Sequence, residues 1–162
     1  VTPEEIAQDL PKLMKKYTST RLRDEESILA VAVKSKNDAD LKDLQYLIIV
    51  YENFAKELKN MSVPLPIADA HLALVNGYGG LAQGLRGMQR LYSNPVEGAA
   101  GYQAYTINRT DVMVGFAGIS AYLGQQGVYF LASEPGYTFS VIFFTGLRMS
   151  TSSGDESGAE DL

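Results

Sequence analysis

The stretch IADAHLALVNGYGGLAQGLRGMQRLY, residues 67–92, decides the fold class. Ile67, His71, Leu74, Tyr78, Leu81, Leu85, Met88 and Tyr92 recur at steps of three and four, the period of one helical face, for about seven turns. Asp69, Asn76, Gln83 and Arg90 recur every seven positions on the opposite face. The pattern predicts a long amphipathic helix, with Pro66 presetting its first turn. An interior glycine costs about 1 kcal/mol of helix propensity relative to alanine. Glycines in such a helix therefore point to close approach of a neighbour. Ala70, Gly77 and Gly84 share one flank, and Gly80 and Gly84 have a small-x-x-x-small spacing. Gly77, Gly80 and Gly84 are thus candidate contact residues, within the domain or between copies.

Outward from this helix, Asn94, Pro95 and Glu97 supply a cap, a preset first position and a capping-box acid. They predict a tight corner and a fifth helix to about Gly124, with Tyr102, Tyr105, Val112, Phe116, Ile119 and Leu123 on one face and Gly127 as its stop. The fourth and fifth helices then form an antiparallel hairpin. Toward the amino terminus, Thr2, Pro3 and Glu5 start a first helix that Pro11 should kink or divide. A second helix, about Arg23 to Lys36, has acids at its start and lysines at its end, as the helix dipole favours. Asn37 or Asp38 caps a third helix carrying Leu41, Leu44, Ile48, Tyr51, Ala55 and Leu58, ended by Ser62 to Pro66. Beyond Gly127, Val128–Leu131 and Tyr137–Phe144 are aromatic and β-branched runs around Ser133-Glu134-Pro135-Gly136, the pattern of a small β-hairpin. The expectation is a mainly α protein, an antiparallel bundle of about five helices with a small C-terminal β-hairpin. It forms one domain over residues 1–149, followed by an acidic Ser/Gly-rich tail over 150–162.

Composition narrows the function classes. The chain has 162 residues, 46% of them hydrophobic and 20% charged, within the range of a single globular domain. A net charge of −5 argues against nucleic acid as a partner, since phosphate neutralisation needs clustered Lys and Arg. The absence of cysteine removes disulfides, thiolate metal sites and thiol catalysis, but leaves the compartment open. A start at Val1 instead of Met fits a processed or trimmed product, from which any signal peptide or amino-terminal anchor would already have been removed. The apolar run Val112–Ser133 is interrupted by glutamines and glycines, so it reads poorly as a membrane span.

Several chemical motifs have plainer readings. Gly77, Gly79 and Ala82 imitate a dinucleotide fingerprint, but such a loop needs a preceding strand, and here the helical period runs through the glycines. His71 is the only histidine and has no second imidazole or thiol to share a metal with, so it reads as a satisfied core residue. No Gly-x-Ser-x-Gly elbow is present. Arg109 interrupts the apolar face of the fifth helix, where the hairpin brings it near Tyr78. It then either snorkels past the ring or meets an anionic group on a partner. The sequons at Asn60 and Asn108 are read as coincidental. No catalytic, cofactor or metal residue is assigned.

At His71-Leu72-Ala73-Leu74-Val75-Asn76, Asn94-Pro95-Val96 and Glu134-Pro135-Gly136-Tyr137, the chain resembles a diffuse group of uncharacterised helical proteins from candidate-phylum bacteria. The resemblance spans about Pro64 to Tyr137. It implies an exported or membrane-anchored protein facing outside the cytoplasmic membrane, and offers no activity or site residues to transfer. The leading expectation is a non-enzymatic structural or protein-interaction module of the cell envelope, its partner a protein, with a second copy of itself among the candidates. Its candidate contacts are Gly77, Gly80, Gly84, Tyr78 and Arg109. A second reading is a small-ligand-binding protein or enzyme with a pocket near His71, Tyr78 and Arg109. A third is membrane association, through the apolar glycine-rich hairpin or a missing N-terminal segment.

Overall fold

The computed structural model describes residues 1–17 and 23–142, which are mainly helical. Helix α1 (Pro3–Tyr17) begins with a reciprocal capping box. The Glu5 amide donates to the Thr2 hydroxyl at 3.2 Å, and the Thr2 amide donates to the Glu5 carboxylate at 2.8 Å. Pro11 does not divide this helix, and its ring is buried with Ile6, Ala7 and Leu10. Core packing on that face outweighs the one amide the proline lacks. Helix α2 (Glu25–Ser35) is capped by Asp24, which accepts from the Ser27 amide at 2.7 Å. It ends where Lys36 turns into the left-handed region at φ 52°.

The third helix starts later than its cap signals suggest. Asn37 accepts from the Ala39 amide at 2.9 Å and launches a 3₁₀ turn, Asp38–Leu41, which buries Leu41 before α3 (Leu44–Lys59) begins. Asp38 is used across the fold, its carboxylate accepting the amides of Tyr92 at 2.7 Å and Ser93 at 2.9 Å. The acid so placed supplies acceptors for two amides in the corner over residues 89–94, just before the last long helix.

Helix α4 (Ala68–Met88) is the middle of the molecule, in contact with α3 on one side and α5 (Pro95–Gln125) on the other. One buried cluster joins Ile6 and Leu10 of α1, Phe54 and Leu58 of α3, Leu74 of α4 and Ile119 of α5. A second joins Ile28 and Ala32 of α2, Leu44 and Ile48 of α3, and Leu85 and Met88 of α4. The Asn94 corner forms as read, the Glu97 amide donating to Asn94 Oδ1 at 3.3 Å. Thereafter α5 runs back along α4: Gly87 lies against Glu97 and Gly101, Gly84 against Gly101 and Tyr105, Gly77 against Asn108 and Val112, and Ala70 against Gly115 and Gly118. A methyl group on Gly84 would stand 2.7 Å from the Tyr105 amide nitrogen and 2.9 Å from the Gly101 carbonyl oxygen. Backbone therefore meets backbone, and the helix propensity lost at the glycines is exchanged for this approach.

Two expectations need correction. Tyr102 is exposed, while the rest of the expected face turns inward, with Val112, Ile119 and Leu123 buried and Tyr105 and Phe116 packed on the core, joined there by Gly98, Gly101 and Gly115. The aromatic at 102 completed an apparent apolar stripe, but at that end of the helix the contact is made by Gly98 and Gly101, which carry no hydrophobic signal. The C-terminal β-hairpin is also absent: there is no strand among the described residues, and residues 137–142 are helical. The chain does turn around Ser133–Gly136, but in two successive turns displaced from that register, the Glu134 amide donating to Leu131 O at 2.9 Å and the Tyr137 amide to Glu134 O at 3.0 Å. The segment leaving this turn buries Gly136, Phe139 and Ser140 and exposes Tyr137, Thr138 and Val141, which is helical spacing and not alternation. Phe139 packs 5.9 Å from Phe116 and 6.2 Å from Phe130, ring centre to ring centre. Ser140 Oγ accepts the Phe130 amide at 2.8 Å, holding the segment before the turn without a second strand. Residues 143–144 of the expected second strand and the tail over 150–162 lie outside the described residues.

Candidate functional site

The run Leu72–Val75 is helix, not a strand, so Gly77, Gly79 and Ala82 belong to the interior turns of α4. Their amides are within a helical ladder, which a phosphate-binding turn requires to be open. Three of the candidate contact residues are used inside the chain. Gly77 and Gly84 are buried against α5, and a methyl on Gly80 would overlap the Asn108 side chain. Asn108, half of one sequon, is itself engaged, its Nδ2 donating to Ala104 O at 2.7 Å.

Tyr78 and Arg109 do come together. They line a cleft of about 380 Å³ with Glu25, Glu26, Tyr51 and Tyr105. The cleft exists because α2 lays its first turn over the junction of α3, α4 and α5, a placement without a local sequence signature. The Tyr51 hydroxyl donates to the Glu25 carboxylate, and the Tyr51 and Tyr78 rings are 5.5 Å apart. Burial pushes the phenols of Tyr78 and Tyr105 up to about 12, and raises Tyr51 further with the help of the Glu25 carboxylate. All three therefore remain neutral hydrogen-bonding groups near neutral pH and are poorly suited to act as bases. Arg109 Nη1 lies 3.8 Å from Glu26 Oε1, both side chains being largely in solvent, so the guanidinium snorkels to a loose ion pair.

His71 does not line that cleft. It is 8% exposed, and its Nε2 is buried with no hydrogen-bond partner among the described residues. Burial pulls the imidazole below its ordinary pKa, against a smaller upward effect of the Leu58 backbone. The histidine is core, as expected, but incompletely satisfied. Because its folded pKa is depressed, the neutral form's contribution is fully present above the unfolded value of about 6.5 and is lost as pH falls through that value toward the folded one. The expected result is a urea midpoint that drops between about pH 7 and 5, above the range where ordinary carboxylates titrate. His71→Leu should flatten that drop, and an equal drop in the variant would assign the effect elsewhere.

The remaining surface of note is the outer side of α5. This helix of 31 residues carries charge only at Glu97, Arg109 and Asp111. Opposite its glycine face, Val96 is 82% exposed, Ile107 55% and Val114 59%, with Tyr102 and Met113 exposed on the flank. Exposed branched side chains at positions 96, 107 and 114 lie on one helical line. Sequence reading misses this face because it assigns an apolar residue on a long helix inward. The signal is available in the near absence of charge around the whole helix, which leaves no polar side to point at water. Among the described residues no helix is long and apolar enough to cross a membrane, and no group of side chains is arranged to hold a metal ion. Compared with known proteins, the chain matches no protein-family model, no curated protein and no solved structure.

Proposed function

We propose that this chain is an antiparallel helical bundle acting as a non-enzymatic protein-interaction module of the cell envelope, and that it binds through the outer face of α5. The compartment is carried by the resemblance to envelope-facing helical proteins. The interaction is supported by one observation, the line of exposed Val96, Ile107 and Val114 on a helix with three charges. Exposed branched apolar side chains aligned on one helix face are a feature of contact surfaces. A photoreactive side chain at position 107 is expected to give discrete protein adducts in cells that make the chain, and the same group at Gln83, on an exposed polar face, none. Adducts at neither position, or equal labelling at both, would argue against this use of α5.

The cleft favours a second reading, a binding site for a small organic cation. Glu25 and Glu26 outnumber Arg109 there, and three tyrosines, a residue type whose ring attracts ammonium groups, line it. Tyrosine fluorescence titrated with tetramethylammonium should saturate in the wild type and weaken in Glu25→Gln. Absence of saturation removes this reading.

A further inference from the structure

We infer that the partner of the α5 outer face is a second copy of this chain, packed antiparallel α5 to α5 about a twofold axis, an inference that rests on the interaction reading above. The outward line reads Val96, Ala100, Gln103, Ile107, Thr110, Val114, Ala117 and Ala121, with no charged residue in it. Its spacing of four and three is that of a seam between two helices. The line is also size-complementary to itself when reversed. Setting Ile107 against Thr110 of the other copy sets Val114 against Gln103, Val96 against Ala121 and Ala100 against Ala117. Every branched apolar side chain then faces a small or unbranched one, or threonine, as close helix approach requires. A shift of four residues instead opposes Ile107 to Val114 and holds the helix centres apart.

The area sets the strength expected. A helix of 31 residues is about 46 Å long and presents a strip about 10 Å wide, so two such strips bury roughly 900 Å². That lies in the range of weak, transient interfaces, so the dimer is expected to be weak and concentration-dependent. The symmetry suits an isologous contact, because one surface serves both copies and leaves no open edge for further growth. Glu97 and Arg109 lie off the seam, and Asp111 flanks it between Ile107 and Val114, exposed at the rim where its carboxylate keeps its water.

The test uses the full chain, which has no cysteine of its own. Sedimentation velocity is expected to show a concentration-dependent monomer–dimer equilibrium. Ile107→Glu should weaken it at least tenfold, and Val114→Glu likewise, with circular dichroism unchanged. An equimolar mixture of Ile107→Cys and Thr110→Cys proteins should oxidise to a disulfide heterodimer faster than either alone. Like positions are offset by about 4.5 Å along the axis, which carries their Cα atoms beyond disulfide reach. A dimer that resists both glutamates, or that links at other positions, overturns the proposed seam. A chain that stays monomeric to several hundred micromolar overturns the dimer. In that case an apolar dye bound by the wild type and released by Ile107→Glu leaves the interaction reading standing, whereas no dye binding removes both.

Discussion

Gly84→Ala is expected to destabilise the protein by about 2–3 kcal/mol, while Gly79→Ala, in the same helix and five residues away, is expected to stabilise it by about 0.5–1 kcal/mol. The two substitutions gain the same helix propensity, because each removes backbone entropy from the unfolded chain. They differ in what the new methyl meets. At position 79 nothing lies within 4 Å. At position 84 the methyl meets the Tyr105 amide at 2.7 Å and the Gly101 carbonyl at 2.9 Å, which are backbone atoms of α5 and cannot rotate away. Relief requires α4 and α5 to separate, which loosens van der Waals contact along the hairpin, so the overpacking outweighs the propensity gain. Gly101→Ala should resemble Gly84→Ala, since its methyl would meet Gly84 O at 2.6 Å and Met88 N at 2.7 Å. Urea unfolding of the variants checks the sign. If Gly84→Ala proved as stable as the wild type, the hairpin would not be held by direct backbone contact.

The same hairpin shows what was legible in the sequence and what was not. Helix α4 could be read because its apolar face and polar back are both periodic, and the corner at Asn94 because capping chemistry is local. The inward face of α5 was harder, since glycine contributes contact without hydrophobicity. Tyr102 lies on one apparent stripe and yet faces solvent. The meeting of Tyr78 with Arg109 followed from the antiparallel hairpin alone. Their neighbours Glu25 and Tyr51 did not, because the position of α2 over that junction depends on tertiary packing between Ile28, Ala32 and the second core cluster. Placing His71 in the core needed only its position on the stripe. Its unpartnered nitrogen is a property of neighbours remote in sequence, among them Leu58.

The second large effect is expected at the segment read as a strand. Phe139→Ala should cost about 3–5 kcal/mol, and Tyr137→Ala should change stability by less than about 0.5 kcal/mol. A strand places residues two apart on one face, so a hairpin would make the two truncations comparable. Helical geometry separates them: Phe139 is 2% exposed between Phe116 and Phe130, whereas Tyr137 is 43% exposed. Removing the Phe139 ring empties a site that Phe130, held by the bond from its amide to Ser140 Oγ, has little freedom to refill. The loss should appear in the global transition, because Phe139 belongs to the same buried cluster as Leu10, Phe54 and Ile119. Urea midpoints of the two variants distinguish the geometries. Equal losses would restore the strand, and a small loss at both positions would mean that the segment unfolds apart from the core that it covers.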